Sequence, residues 1–378
     1  MNELILVDGA TGFIGSNLVE YLRKKGYNVR ASGRNIRKLN ELKKFGAEVV
    51  QCDLLDKEQI PKMLEGVDKI VHCTGCINIS APWDEMYAAN VQTAENLYEA
   101  ALNYDIKKVV HFSSVAVYGK QKKEVLKEDD PKLAEDNYGK TKLLGEKVGL
   151  KLYRENGFPV TILRPAFVYG KGDPGGVTYG LLMMGLLIAE HRKKKVVIEW
   201  KRKAHFVSVD NVTEAVRFLL NNNSSNGEAY NLLDPTIIEM SDLFRYSSEF
   251  IPYPETRFGI FPIIFSSDFL MSFFSRFSGV GRGKGHLDKL IDKTLSEMRE
   301  RYNLVSPPVS IFGAVLGRFD KYKKKYALCY DISRILDLGY KPVVKTTEEG
   351  IKDTITWYME NRWIPNYKET FSKSPSKR

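Results

Sequence analysis

A tyrosine with a lysine four residues on can do acid–base chemistry. On a helix the two side chains share one face, so the ammonium can stabilise a tyrosinate and also reach a ribose hydroxyl. Four of the twenty tyrosines have this spacing: Tyr21, Tyr104, Tyr118 and Tyr138, with Lys25, Lys108, Lys122 and Lys142 behind them. Position must separate them. Tyr21 lies in the first expected helix, Tyr104 precedes a strand, and Tyr118 falls in a loop. Only Tyr138 opens a helix after a serine-bearing strand end, Phe112-Ser113-Ser114, and in a parallel sheet that edge is where ligands bind.

A second constellation is Gly9-Ala10-Thr11-Gly12-Phe13-Ile14-Gly15, between the first strand and the first helix. Glycines there allow a tight turn and close approach to a pyrophosphate, which the helix N-terminus attracts through free N–H groups and a partial positive charge. The second strand ends Ala31-Ser32-Gly33-Arg34, without an acid to accept from an adenosine ribose. Arg34, followed by Arg37 and Lys38, is placed instead for a 2′-phosphate. NADP is therefore the expected cofactor and NAD the alternative; surface arginines in a loop are the bland reading. After the third strand, Asp53-Leu54 lies where an adenine would rest.

These residues need a scaffold, and the first half of the chain supplies one. Leu4–Val7, Asn28–Ala31, Glu48–Gln51, Lys69–His72, Lys108–Phe112 and Val160–Leu163 are nearly continuous apolar runs separated by amphipathic stretches. That alternation predicts a doubly wound parallel α/β sheet. At 378 residues the chain exceeds the ~250–300 at which single cores stop growing, so two lobes are expected. The rhythm changes after Gly170. Strand and helix patterns return at His205–Val209, Val212–Asn221 and Ala229–Leu232, so the chain revisits the first sheet. The expected division is residues 1–170 plus 205–234 for the dinucleotide-binding lobe, and 171–204 plus 235–378 for a discontinuous substrate lobe.

Composition excludes other classes. Apolar residues make up 43% and charged residues 28%, a globular balance, and no apolar stretch approaches the ~18–20 residues of a membrane span. The amino-terminal residues lack the pattern of a secretory signal, and the four cysteines are too few for a disulfide framework, so a cytoplasmic location is expected. Cys73 and Cys76 form a CxxC without a second ligand pair, and the five histidines show no HExxH spacing; no metal is expected. The net charge of +10 concentrates at 190–203, 318–325 and 368–378. Such patches suit an anionic partner or a solvated surface equally.

Taken in order, GATGFIG, Asp53-Leu54, Asn90-Val91 opening a helix, HFSSVAVYG, YGKTK, RPAFVYG and YDISRILDLGYKP span nearly the whole chain. Together they resemble an extended short-chain dehydrogenase/reductase. The resemblance implies Ser114 as the hydroxyl that polarises the substrate, Tyr138 as general acid/base, and Lys142 as its partner and ribose ligand. It also implies cofactor contacts from Gly9, Thr11, Gly12, Phe13, Ile14, Gly15, Arg34, Asp53, Leu54, Thr74, Pro165, Phe167 and Val168. Ser114 is followed by Val115-Ala116 rather than the Asp-Glu usual among sugar dehydratases, which disfavours dehydration. The pattern is closest to the 3β-hydroxysteroid dehydrogenase and dihydroflavonol reductase side, whose members share a second strand lacking an acid. Two alternatives stand: a nucleotide-sugar epimerase with the same residues, weakened by Phe167 where many sugar enzymes carry Asn, and a non-catalytic NADP sensor. A small-molecule substrate is the expected partner and nucleic acid is not; a homodimer is left open.

In the second lobe, Phe269, Phe273 and Phe277 repeat at helical spacing opposite Asp268, Ser272 and Ser275. They either pack the core of that lobe or form an apolar lip that rests, with the basic patches, on an anionic membrane.

Overall fold

The computed structural model describes residues 3–78, 81–173, 177–199, 201, 203–259, 284–305 and 329–367. Its strands are β1 (Leu4–Val7), β2 (Asn28–Gly33), β3 (Glu48–Gln51), β4 (Lys69–His72), β5 (Lys108–Phe112), β6 (Val125–Leu126), β7 (Val160–Pro165) and β8 (Phe167–Tyr169). They continue as β9 (Lys195–Glu199), β10 (Lys203–Ala204), β11 (Phe206–Ser208), β12 (Ala229–Leu232), β13 (Ile238–Glu239), β14 (Glu255–Gly259) and β15 (Cys329–Tyr330). The helices are α1 (Phe13–Lys24), α2 (Ile36–Leu42), α3 (Ile60–Leu64), α4 (Trp83–Tyr87), α5 (Thr93–Ala101), α6 (Asn137–Asn156) and α7 (Val177–Arg192). Next come α8 (Val209–Leu220), α9 (Met240–Ser248), α10 (Lys284–Tyr302), α11 (Ser333–Asp337) and α12 (Thr347–Glu360).

Seven strands form one parallel sheet in the order β12-β7-β5-β4-β1-β2-β3. Every expected strand of the first half is among them. Ile5, Leu6, Val7, Ile70, Val71, Val109, Val110 and Ile162 are buried, as strands covered on both faces require. The covering helices are amphipathic: α8 buries Val212, Ala215, Val216 and Leu219, the i, i+3, i+4, i+7 stripe of a helix with one core face. The fold is a Rossmann-like α/β sheet. The order reverses between β1 and β4, and ligands of such sheets bind at the carboxyl ends of the strands at that switch point.

Contacts divide the chain into two units: Met1–Val168, Val209–Asp234 and Tyr326–Val343 form the first, and Tyr169–Ser208, Pro235–Lys325 and Val344–Arg378 the second. This differs from the expected boundaries at 205–208 and at 326–343. The latter segment clusters with the first unit through its described residues: β15 pairs with β6, Asn231 donates to the Asp331 carbonyl at 3.1 Å, and Asn211 accepts from the Val343 N–H at 2.8 Å. No local pattern announces partners roughly one hundred to two hundred residues away.

In the second unit β9 pairs in parallel with β14, and Glu190 ends α7 as a buried carboxylate. It accepts hydrogen bonds from the hydroxyls of Tyr367 (2.6 Å), Tyr302 (2.9 Å) and Tyr253 (3.2 Å), and from Lys193 at 3.1 Å. Burial pushes its pKa up, but these donors outweigh it and hold the carboxyl below its ordinary range. Glu190→Ala leaves the buried hydroxyls without an acceptor and is expected to cost about 3 kcal/mol. A urea midpoint equal to that of the unmutated protein would refute this. The phenylalanine helix expected at 268–277 and the basic patches at 318–325 and 368–378 lie outside the described residues. Among the described residues, no helix is long and apolar enough to cross a membrane.

Candidate active site

The glycine loop joins β1 to α1. Gly9 has φ +59°, and a Cβ there would stand 2.8 Å from the Thr74 nitrogen; a Cβ on Gly15 would stand 2.4 Å from the Gly9 carbonyl oxygen. Only glycine permits that approach. The helix opens at Phe13 with Ile14 and Gly15 in its first turn, Gly12 at its cap, no capping side chain and no acid there. Its uncapped amides and close-packed backbone are what a dinucleotide's phosphates require, so the residues present fit the cofactor. Thr11 borders the end of β2, its hydroxyl 3.4 Å from where a Gly33 Cβ would lie. The next residue, Arg34, is exposed, and its guanidinium has no partner among the described residues. Arg30, by contrast, is spent on Glu48 at 2.9 Å and the Met63 carbonyl.

Asp53 is half-buried after β3, while Leu54 packs its side chain into the core. Thr74 follows β4, and Pro165, Phe167 and Val168 follow one another around the end of β7, the first buried and the others half-buried.

Tyr138 and Ser114 come from neighbouring turns. Ser114 caps a 3-10 turn over Val115–Tyr118, its Oγ accepting from the Ala116 N–H at 3.2 Å. Asp136 caps α6 by accepting from the Gly139 N–H at 2.7 Å, placing Tyr138 in the first helical turn. Gly139 is flush against the turn that Ser114 begins: a Cβ there would meet the Ala116 carbonyl oxygen at 2.5 Å. One turn on, Lys142 is buried and donates from Nζ to the Phe112 carbonyl at 2.9 Å. Burial lowers its pKa to about 8, against the opposing influence of Cys73, Asp8, Cys76 and Glu146. Its charge is thus present below about pH 8 and lost above it.

The other Tyr–Lys spacings are otherwise engaged. Tyr118 lies not in an open loop but buried in the 3-10 turn, donating to Asn231 at 2.7 Å and accepting from Arg164 at 3.0 Å; burial raises its pKa to about 12. The Tyr21 hydroxyl donates to Glu214, and that of Tyr104 to the Pro61 carbonyl at 3.3 Å.

Two further residues assemble this site: Asp8, which no motif singled out, and Asn90, which the sequence marked at a helix start without a role. Asp8 is buried, accepting from the Cys73 and Thr74 N–H groups at 2.9 and 2.8 Å and from His72 Nδ1 at 2.8 Å. Asn90 lies in a π-helical segment, Ala88–Gln92, ahead of α5. Its amide accepts from the Cys76 N–H at 2.9 Å and donates to Thr141 Oγ1 at 3.0 Å, clamping α6 to the loop after β4. The available signals were an acid directly before the first glycine and a π-segment, which often marks a functional site. Among the described residues no cluster could hold a metal.

A family model described as the NAD dependent epimerase/dehydratase family matches residues 5–232. The chain belongs to that family. Membership makes it an enzyme of NAD-dependent chemistry. Relatives in the curated set include the N-acetyl-alpha-D-glucosaminyl-diphospho-ditrans,octacis-undecaprenol 4-epimerase of Escherichia coli O157:H7, 28% identical over 67% of this chain and 77% of that one. Another is the sterol demethylase protein B of Methylococcus capsulatus, 28% identical over 68% and 77%. Among solved structures, the UDP-glucuronic acid 4-epimerase of Bacillus cereus in complex with NAD superposes with a TM-score of 0.66 at 19% identity, covering 94% of this chain and 96% of that one. At that identity the likeness shows the fold. Relatives also include two UDP-glucose epimerases of Bacillus subtilis, so the family does not itself single out the hydroxysteroid and dihydroflavonol side.

Proposed function

We propose that the protein is an NADP(H)-linked oxidoreductase that interconverts a secondary alcohol and a ketone on a lipophilic, sterol-like substrate. Support for the catalytic set comes from the packing of Gly139 against Ala116, which brings the Tyr138 turn to the Ser114 turn, with Lys142 on the same strand end. In this reading Tyr138 Oη gives a proton to the ketone oxygen during reduction and takes it back during oxidation. Ser114 Oγ, fixed by Ala116, holds that oxygen. The Lys142 ammonium stabilises the tyrosinate and binds the cofactor ribose. The nicotinamide, when bound, supplies or accepts the hydride. Gly9, Thr11 and the α1 amides from Phe13 to Gly15 hold the pyrophosphate, and Asp53 and Thr74 border the adenosine and the nicotinamide side.

Arg34, exposed and without a side-chain partner among the described residues, carries the choice of net oxidoreduction in this reading. A 2′-phosphate adds nothing to an epimerase, which regenerates its cofactor in every cycle. Arg34→Ala is expected to narrow an affinity gap between NADP(H) and NAD(H) of about tenfold or more, by removing a charge-assisted contact worth about 1.5–3 kcal/mol. Calorimetric titration of both cofactors decides it, and equal affinities in the unmutated protein would sink the NADP reading. The second reading, a nucleotide-sugar epimerase, is favoured by the relatives named as UDP-glucose epimerases. A substrate panel of sterols, hydroxy-lipids, flavonoid-like ketones and nucleotide sugars separates the two. Net change in nicotinamide absorbance supports the oxidoreductase, and product without net change supports the epimerase.

A further inference from the structure

We propose that Asp8, which stands outside the catalytic set, is the positioning residue of Lys142 and holds the charge on its ammonium. One carboxylate serves both halves of the site. On its chain side it adjoins Gly9, whose Cα is pressed against Thr74; across the sheet its Oδ1 accepts from Cys73 and Thr74, at the head of the loop ending in Cys76. Gly75, within that loop, faces the lysine: a Cβ there would stand 2.9 Å from Lys142 Nζ. The far end of the loop is held by Asn90. Asp8 therefore fixes the surface on which the ammonium rests and supplies a negative charge beneath it.

The other groups around the pair do not replace that charge. Cys73 faces both, but burial raises its thiol well above the ordinary range, so it is neutral where the enzyme works; Cys52, on the Asp8 side, is raised to about 11 for the same reason. Burial, with His72 and Lys142 nearby, keeps His111 neutral, and Tyr98 is buried with its hydroxyl protonated. Glu146 on α6 is committed to Arg164 at 2.7 Å through both oxygens. Cys76 is the remaining titratable group that acts on Lys142. His72 Nδ1 binds Asp8 Oδ2, which keeps the carboxylate turned toward the loop.

The inference rests on the catalytic reading only for its consequence, and its test needs no substrate. In protein carrying isotope-labelled lysine, the side-chain resonance that disappears in Lys142→Arg is followed by NMR against pH. In the unmutated protein it titrates near 8. In Asp8→Asn and in the smaller Asp8→Ser, removal of the negative charge favours loss of the lysine proton, so the midpoint moves to lower pH by about half a unit or more. Lys108 is an internal control: it is buried at the opposite end of β5, bound to the Asn222 carbonyl, with its pKa lowered by burial to about 7, and its midpoint stays put. An unmoved Lys142 midpoint in either folded variant overturns the proposal, as does an equal shift at Lys108. Failure of both variants to fold would overturn it too, since hydrogen bonding rather than charge would then be what the residue supplies. None of these results touches the role of Tyr138, which turnover tests separately.

Discussion

Replacing Tyr138 by phenylalanine lowers turnover by about 10²–10⁴-fold and leaves cofactor affinity within about twofold, because positioned proton transfer contributes that much and the phosphate cradle lies elsewhere. The ring remains to fill the first turn of α6, and only the hydroxyl is lost. Lys142→Ala should damage both properties if, as proposed, its ammonium serves the tyrosine and the ribose alike. Tyr118→Phe is the informative control. It deletes hydrogen bonds to Asn231 and Arg164, so its effect belongs to stability. Steady-state kinetics and a cofactor titration on the three variants check the assignment. Near-native turnover in Tyr138→Phe together with its loss in Tyr118→Phe would reverse it.

The second large effect is structural. Arg164 and Glu146 form a bidentate pair almost wholly removed from water, tied further to Ser113, to Tyr118 and to the Glu128 carbonyl. Removing one charge strands the other, so Glu146→Ala is expected to cost about 3–5 kcal/mol. Replacing both at once by apolar residues of similar volume, Arg164→Met with Glu146→Leu, should recover most of the loss, because neither desolvated charge remains. Denaturant unfolding measures both. Equal destabilisation in the single and double variants would mean that the site owes its order to something other than this pair. Since Ser113 precedes Ser114, the single variant should also loosen the hydroxyl proposed to hold the substrate oxygen.

The strands were legible because parallel strands covered on both faces carry apolar residues in succession, as Val109-Val110 and Ile70-Val71 do at the centres of theirs. The glycine loop was legible because its spacing has a steric cause that Gly9 and Gly15 now display directly. Tyr138 could be chosen among four equal spacings from its place after a serine-bearing strand. What stayed hidden depends on distant partners. Asp8 acts on residues that follow β4, Asn90 on Thr141, and β15 on β6; none leaves a local periodicity. Leu54 shows a placement that chain position alone does not describe. It stands at the right place in the chain for the adenine, yet its side chain joins the core, and its carbonyl accepts from Asn96 at 2.8 Å.

The central claim, net hydride exchange between NADP(H) and a secondary alcohol or ketone with Tyr138 supplying or taking the proton, is tested most directly by isotope transfer. NADPH carrying deuterium at the transferable position of the nicotinamide is turned over with the ketone that the panel identifies, and the product is analysed by mass spectrometry. The oxidoreductase account predicts one deuterium at the carbinol carbon of each product molecule, with stoichiometric oxidation of the cofactor and loss of both in Tyr138→Phe. Alcohol product lacking deuterium at that carbon, or inversion of the corresponding alcohol by the NADP⁺-loaded enzyme with no net reduction of the cofactor, would contradict it.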